Sequence, residues 1–246
     1  MLELGERLQV QSQFSSSELQ VRRDHAISHI LAAIQKLKSE MVFYGGTALS
    51  RTFLVDGRLS EDIDLYTEDR KKLCQELDEI PDLIEQEFPE AGWQKLPSQL
   101  RDAESTNLSC GSSIQVKVQV VDSASRNWAK VPIEMAEIFQ RYSDVTPTRL
   151  FVPTFDGFVA MKASAWFDRH AARDLFDLEA LTRKGVVTGN ARDVVQALTG
   201  YRLTGAMLEG KVAGNWQQEL AGQTKLEMTE RECLARVLEW WGTSEG

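Results

Sequence analysis

The sequence predicts an α+β fold in two parts: residues 1–153 form a core with a small mixed sheet, and residues 154–246 form a C-terminal helical region. Short apolar or alternating segments, which are typical of strands, lie in the first part. A long block that is rich in Ala, Leu, Phe and Lys/Arg and free of Gly and Pro dominates the second part. Mixed elements followed by helices alone indicate the α+β class.

The first predicted element is a long amphipathic helix. Ser15 and Glu18 have the spacing of a capping box, in which both side chains satisfy the first backbone amides of a helix. Apolar residues between 27 and 34 then recur every three or four positions. We expect this helix to end near Ser39.

Two short strands and two helices follow. Residues 41–44 are an apolar run that Gly45 and Gly46 break, which predicts a buried strand entering a tight turn. A short helix is expected over residues 47–53 and a second strand over residues 63–66. Further helical sequence extends from residue 69 to residue 88.

Residues 114–120 alternate strictly between apolar and polar side chains, which is the clearest strand pattern in the chain. Residues 131–133 form another candidate strand, placed at a sheet edge because proline cannot donate a ladder hydrogen bond. Residues 149–152 form the last one. Helices are then predicted over residues 158–181, from residue 190 onward, and over residues 224–241.

Composition and charge limit the possible classes of protein. We find neither a signal peptide nor an apolar stretch of about 20 residues, so we expect a cytoplasmic protein without a membrane partner. Cys74, Cys110 and Cys233 indicate neither a disulfide framework nor a zinc site. The net charge of −9 is concentrated in residues 61–104, whereas residues 123–211 carry twelve basic and ten acidic side chains. A local basic surface for an anionic substrate is therefore compatible with the acidic total.

The glycine turn predicts a phosphate site. Gly45 and Gly46 allow the backbone to approach a ligand closely. The amides at the start of the following short helix can point at a phosphate, and Thr47 adds a hydroxyl at the same place.

Asp62 and Asp64 predict a metal site. Residues two apart in a strand lie on the same face, so both carboxylates project together while Ile63 packs into the core. Two carboxylates this close repel one another unless a cation is shared between them. A hard divalent ion such as Mg²⁺ is the expected ligand.

A second group of candidate residues follows in the long helix. Cationic and aromatic side chains recur there at spacings of three and four, and we expect them to line one helical face: Lys162, Trp166, Arg169 and Arg173. A lysine near two metal-binding aspartates would bind a triphosphate and stabilise charge during transfer. Asp174 and Asp177 are expected to share a helix face. Taken alone, this segment also fits an exposed helix with salt bridges.

The combined pattern resembles a known family. A Gly-Gly-Thr turn, a helix and then Asp-x-Asp on the next strand is the signature of polymerase-β-like nucleotidyltransferases. The longer string Gly-Gly-Thr-Ala-Leu-Ser at 45–50, followed by Arg-Leu-Ser-Glu-Asp-Ile-Asp-Leu at 58–65, closely resembles the AbiEii/AbiGii (MenT-like) toxins. The lysine, arginine and Arg-Asp-x-x-Asp-Leu pattern between residues 162 and 178 resembles the second conserved region of that family.

The resemblance implies an enzyme that uses a nucleoside triphosphate (NTP) with Mg²⁺ or Mn²⁺ and transfers the nucleoside monophosphate to an acceptor hydroxyl. It also implies an RNA acceptor such as the 3′ end of tRNA, inhibition of translation and growth, a cognate antitoxin and a role in phage defence. Two alternatives remain: a kinase-like phosphotransferase, or a nucleotide-binding interaction module with the same fold.

By resemblance, four residues are expected to be catalytic: Asp62, Asp64, Lys162 and Asp174. Of these, Asp62 and Asp64 would hold the metal, whereas Asp174 would orient Lys162, assist a metal or act as a base. Residues expected to contact the nucleotide are Gly45, Gly46, Thr47, Arg58, Ser60, Lys162, Arg169 and Asp177.

Three points stay open at this level. Arg58 would either contact a phosphate or fix the entry to the strand. The strand at 114–120 offers no third carboxylate, so Asp122 or Glu134 remains a candidate to join the metal site. His25 and His29 are an i, i+4 pair that could bind a metal, although a structural pair is the preferred interpretation.

Overall fold

The computed structural model describes residues 2–102, 104–123 and 128–242, within which there are seven strands and eleven α-helices. The strands are β1 Val42–Tyr44, β2 Asp62–Tyr66, β3 Ala91–Trp93, β4 Ser105–Cys110, β5 Gln115–Val121, β6 Ile133–Ile138 and β7 Thr148–Pro153. The helices before β7 are α1 Leu4–Phe14, α2 Glu18–Ile34, α3 Gly45–Ser50, α4 Arg70–Leu77 and α5 Ile80–Leu83. Those after it are α6 Phe155–Arg169, α7 Ala172–Thr182, α8 Gly189–Thr199, α9 Gly205–Leu208, α10 Trp216–Leu220 and α11 Glu230–Gly242.

All seven strands form one mixed sheet in the order β3-β4-β5-β2-β1-β7-β6. The central strand β2 runs antiparallel to β1 and parallel to β5. The mixed sheet was predicted, but β3 and β4 were not. In β4 the inward positions are Thr106, Leu108 and Cys110, and the polar and small side chains hide the alternation that the burial pattern reveals.

The start of the chain differs from the prediction. An additional helix, α1, precedes α2, and Ser15 ends α1 in the left-handed region with φ 51°. Ser17 is the residue that caps α2, because its side chain accepts a hydrogen bond from the backbone N–H of Gln20 at 3.2 Å. The predicted cap at Ser15 is therefore wrong by two residues, and α2 ends at Ile34, before the expected Ser39.

The predicted long helix over residues 158–181 is two helices. The side chain of Thr154 caps the start of α6, and His170 ends α6 in the left-handed region with φ 50°. The chain turns there, and α7 begins at Ala172. Nothing in the sequence marks this corner, because neither glycine nor proline occurs at it.

The prediction of one cationic helical face is consequently wrong. Arg173 lies on α7 and is exposed, whereas Lys162 and Arg169 lie on α6. Trp166 is fully buried, and its indole Nε1–H donates a hydrogen bond to the carbonyl oxygen of Leu208 at 2.8 Å. Trp166 therefore belongs to the core.

One large apolar cluster extends from Ile27 in α2, through the sheet, to Trp241 in α11. The sheet part and the helical part therefore share a core. The division at residues 153 and 154 remains a prediction. Among the described segments, no helix is long and apolar enough to span a bilayer.

Candidate active site

Asp62 and Asp64 lie on the same face of the central strand. Along β2, Ile63 and Leu65 are fully buried, whereas the alternating residues Asp62 and Asp64 are partly exposed. Asp64 is paired with Tyr44 on β1, the residue that precedes the glycine turn, and with Gln119 on β5. The strand therefore brings the acidic pair and the glycine turn to the same end of the sheet.

Gly45 and Gly46 make room for the side chains that face them. Gly45 has φ 79°, and a Cβ atom built on it would overlap the Asp64 Oδ2 atom. A Cβ atom on Gly46 would lie 2.7 Å from Arg58 Nη2 and 2.9 Å from Ser60 Oγ. A Cβ atom at either position would therefore displace side chains that surround the turn.

Thr47 anchors the turn to the acidic strand. Its side chain is buried, and its hydroxyl donates a hydrogen bond to the backbone carbonyl oxygen of Asp62. This contact fixes the start of α3 against β2. The hydroxyl that the sequence suggested for a phosphate is therefore engaged with the strand.

Lys162 and Arg169 on α6 meet two acids on α7. Lys162 Nζ lies 3.1 Å from Asp174 Oδ1 and 2.6 Å from Asp177 Oδ2. Arg169 donates to both oxygens of Asp174, from Nε at 2.7 Å and from Nη2 at 3.1 Å. Asp174 and Asp177 thus share one face of α7, and the corner at His170 turns that face toward Lys162.

These contacts keep the acids ionised in spite of burial. Burial alone raises the pKa of the Asp174 carboxyl, but the charge of Lys162 and the hydrogen bond from Arg169 outweigh it and lower the pKa to about 2. The pKa of Asp177 is also lowered: burial opposes the shift, and the charges of Arg58 and Lys162 overcome it.

Arg58 is buried and bound by protein groups. Its Nε and Nη2 atoms each lie 2.9 Å from one oxygen of Asp177, and its Nη1 atom donates to Gln223 Oε1 at 2.9 Å. Of the two roles left open for Arg58, this arrangement supports fixing the segment that leads into β2. Asp177 has the same role from the side of α7.

A cavity of about 410 Å³ lies between the sheet and α6, and most of the predicted site residues border it. Its lining residues are Tyr44, Gly45, Gly46, Asp64, Gln119, Val121, Trp128, Phe158, Met161, Lys162, Ala165, Asp168, Arg169 and Asp174. Asp62 is next to this lining on the same strand face. Thr47, Arg58, Ser60 and Asp177 are predicted nucleotide-binding residues that do not line the cavity.

The surroundings of Asp64 disfavour the ionised form of its carboxyl. Burial, followed by the charge of Asp62, raises the pKa of Asp64 to about 6. The charges of Lys117, Lys162 and Arg169 oppose this shift without cancelling it. The pair of carboxylates therefore has the donor atoms and the unbalanced charge that a hard divalent cation would satisfy.

Neither candidate for a third carboxylate lies at the cavity. Glu134 is exposed on the edge strand β6, and β1 and β7 separate that strand from β2. Asp122 borders a different surface depression, with Glu68 and Arg70. Gln119 occupies the position on β5 beside Asp64.

Several lining residues were not predicted from the sequence. Trp128 stacks on Tyr66 with ring centroids 4.7 Å apart and meets the edge of Tyr44 at 4.5 Å. The tryptophan lies between β5 and β6, outside any periodic segment, so no sequence pattern marks it. Phe158 and Met161 lie in a segment that the sequence predicted only as a helix.

Comparisons with known proteins identify the family and the fold of the chain. The family model for the nucleotidyl transferase AbiEii toxin of type IV toxin–antitoxin systems matches residues 29–237. A comparison with curated protein sequences gave no match.

Solved structures share the fold at low sequence identity. MenT4, a nucleotidyltransferase toxin from Mycobacterium tuberculosis, is 18% identical with a TM-score of 0.69, and the match covers 96% of this chain and 88% of that one. JHP933 from Helicobacter pylori is 15% identical with a TM-score of 0.55 and coverage of 93% and 92%. These likenesses confirm the predicted fold class. Because the family model covers most of the chain, the protein belongs to the AbiEii family of nucleotidyltransferase toxins of type IV toxin–antitoxin systems.

Proposed function

We propose that this nucleotidyltransferase moves a nucleoside monophosphate from an NTP to the hydroxyl at the 3′ end of tRNA, with Mg²⁺ or Mn²⁺ as the cation. The modified tRNA no longer accepts an amino acid, so translation and growth stop in the cytoplasm until the cognate antitoxin counteracts the enzyme. The observation that carries the proposal is the single cavity that Asp64, Lys162, Arg169 and the glycine turn line together.

The opposite charges in the cavity match a metal-bound triphosphate. Asp62 and Asp64 would hold the cation, because both supply hard oxygen donors on one strand face and Asp64 has a raised pKa without it. When bound, such an ion polarises the reacting phosphate and favours the deprotonated form of the attacking hydroxyl.

Lys162 and Arg169 would bind the phosphates and neutralise the charge that develops during transfer. Asp174 accepts hydrogen bonds from the side chains of Lys162 and Arg169 and thereby orients these two side chains at the cavity. A carboxyl with a pKa of about 2 is a weak base, so orientation is the role that these contacts support for Asp174.

The remaining predicted nucleotide-binding residues would act indirectly. Arg58 and Asp177 brace the segment before β2, and Thr47 fixes the start of α3. Ser60 and Arg58 pack against Gly46 and so fix the position of the glycine turn.

An apolar wall of the cavity suits a nucleobase. Trp128, Phe158 and Met161 contribute this surface. Aromatic rings stack on bases with little regard for their identity, so the wall supports nucleotide binding and leaves the choice of base to polar neighbours such as Gln119.

The test is incubation of the purified protein with total RNA and each α-³²P-labelled NTP in turn, with γ-³²P-labelled NTP in parallel. We expect label from the α-position only, in RNA of tRNA size, and none from the Asp64→Asn variant. Asp122→Asn is the matched control, since Asp122 lies outside the cavity, and it should retain activity. Transfer of γ-label alone would instead identify a kinase-like reaction, and labelled protein without labelled RNA would refute the tRNA acceptor.

Growth inhibition gives a second test that needs no labelled acceptor. Expression of the wild-type chain in a bacterial host without the antitoxin should arrest growth, and expression of Asp64→Asn should not. Equal arrest by both chains would show that binding, rather than transfer, is the toxic activity.

A further inference from the structure

Three side chains with metal-binding atoms converge outside the active-site cavity. His25 and His29 are one turn apart on α2, and Asp144 lies in the loop between β6 and β7. His25 Nε2 lies 3.0 Å from Asp144 Oδ2 and 3.2 Å from His29 Nε2. His29 Nε2 lies 3.6 Å from the same Asp144 oxygen.

Hydrogen bonds alone satisfy these three side chains poorly, because each imidazole uses the same atom, Nε2, for both of its contacts. If His25 carries the Nε2 proton and donates it to Asp144, the lone pair of His29 Nε2 faces a carboxylate oxygen. If both imidazoles carry Nε2 protons, two N–H groups face each other at 3.2 Å. A metal ion at the centre would accept all three donor atoms at once.

The spacing of the three atoms fits a tetrahedral ion. Zn²⁺ binds imidazole nitrogen and carboxylate oxygen at roughly 2.0–2.1 Å, which separates tetrahedral ligand atoms by roughly 3.3–3.4 Å. The observed separations are 3.0, 3.2 and 3.6 Å. Two imidazoles favour Zn²⁺ over the oxygen-seeking Mg²⁺ expected at the aspartate pair.

Aromatic rings hold the imidazoles in place. The Tyr142 ring meets the His25 ring edge-on at 4.9 Å, and the Phe88 ring lies 6.0 Å from His25 and 5.7 Å from His29. The side chains of His25, His29 and Asp144 are 7%, 10% and 18% exposed, so the cluster lies close to the protein surface and an ion can reach it from solvent.

We propose that His25, His29 and Asp144 form a structural Zn²⁺ site that ties α2 to the β6–β7 loop. The same loop carries Tyr142, whose hydroxyl donates to Asp24 Oδ2 at 2.9 Å. Asp24 in turn accepts a hydrogen bond from Arg51, the residue that follows α3, at 2.8 Å. The ion would therefore stabilise the contacts that hold Arg51, at the end of α3, beside α2. The proposed site does not depend on which nucleotide or acceptor the enzyme uses.

The test is metal analysis of the full chain after treatment with EDTA, exposure to Zn²⁺ and dialysis. We expect one bound Zn²⁺ per chain and a higher midpoint of thermal unfolding than in the EDTA-treated protein. His29→Gln and Asp144→Asn should each weaken Zn²⁺ binding by at least roughly 100-fold, since each removes a direct ligand. His170→Asn, which removes the third histidine and keeps a residue tolerant of positive φ, should bind Zn²⁺ like the wild type.

A second measurement on the wild-type chain avoids dependence on the folding of the variants. Co²⁺ added to the EDTA-treated protein should give the strong visible absorption of a four- or five-coordinate site, and one equivalent of Zn²⁺ should abolish it. Asp64→Asn should leave this signal unchanged, which separates the site from the aspartate pair. Failure of the wild type to bind one Zn²⁺, or full retention by folded Asp144→Asn and His29→Gln, would overturn the proposal.

Discussion

The carboxylate of Asp64 rests against the Cα atom of Gly45, in the space that any other residue would fill with a side chain. The contact joins the two parts of the sequence signature, because the turn that ends β1 sets the position of the second aspartate on β2. The glycine therefore has a steric function in the site beside any contact with a phosphate.

Gly45→Ala should impair the enzyme more than it impairs the fold. Alanine at φ 79° costs about 1–2 kcal/mol of folding free energy, and its Cβ atom displaces Asp64. A displacement of about 1 Å at a reacting centre lowers the rate by roughly 100-fold, which steady-state kinetics would detect. Gly200→Ala is the matched control, because Gly200 also has φ 79° and nothing lies within 4 Å of the added atom, and it should retain wild-type activity. Wild-type kinetics for Gly45→Ala would contradict this role.

Asp64→Asn should make the metal-free protein more stable at pH 8. The native pKa of Asp64 is about 6 and its ordinary value is 3.8, so the native state binds more protons than the unfolded state between these pH values. Protonation of Asp64 therefore favours the native state, and this contribution to the free energy of unfolding is complete below about pH 4 and is lost as the pH rises through 6. The variant should therefore exceed the wild type by about 1–3 kcal/mol at pH 8, measured by urea unfolding in EDTA.

The same experiment contains its own check. The stability difference between Asp64→Asn and the wild type should shrink as the pH falls from 6 to 4. Added Mg²⁺ should stabilise the wild type and not the variant. A difference that does not change with pH would show that Asp64 titrates normally.

Arg58→Gln should destabilise the fold and leave nucleotide affinity nearly intact. It removes the bidentate partner of the buried Asp177, and breaking a buried ion pair costs about 3–5 kcal/mol. Lys162 still contacts Asp177, so we expect the free energy of unfolding to fall by an amount near the lower end of this range, as thermal unfolding would show. Arg173→Gln, at an exposed arginine on α7, should change stability little. A large rise in KM for the NTP with unchanged stability would reveal a phosphate contact instead.

Lys162→Met should lower kcat by roughly 10²–10³-fold, the usual loss when one group that stabilises transition-state charge is removed. The effect on KM should be smaller, because Arg169 still lines the cavity. Steady-state kinetics well below the unfolding temperature would separate the two constants. Lys184→Met, at an exposed lysine just after α7, is the matched control and should behave like the wild type.

The sequence predicted those parts of the site that depend on local patterns. Alternation at residues 114–120 and the Asp62–Asp64 spacing follow from the two-residue period of a strand, and both appear as expected. The break after residue 44 follows from the two glycines. These features need no knowledge of distant contacts.

The missed features depend on contacts between distant residues. Arg58 and Asp177 are 119 positions apart, so nothing near either residue indicates that the two form a buried pair. The corner at His170 escaped prediction because only a few per cent of residues other than glycine adopt a positive φ and the flanking sequence favours helix. Tertiary packing, here of α7 against α6 and α11, overrides that local preference.

The corner at His170 also explains why two residues twelve positions apart can touch. In a continuous helix Asp174 would stand about 18 Å further along the axis than Lys162, beyond the reach of either side chain. Instead, the chain changes direction within the two residues between α6 and α7, which brings Asp174 back to Lys162. Adding or deleting one residue there would change the position and direction of α7 relative to α6 and move Asp174 away from Lys162. The length of this short connection is therefore as critical to the enzyme as the identity of the charged residues.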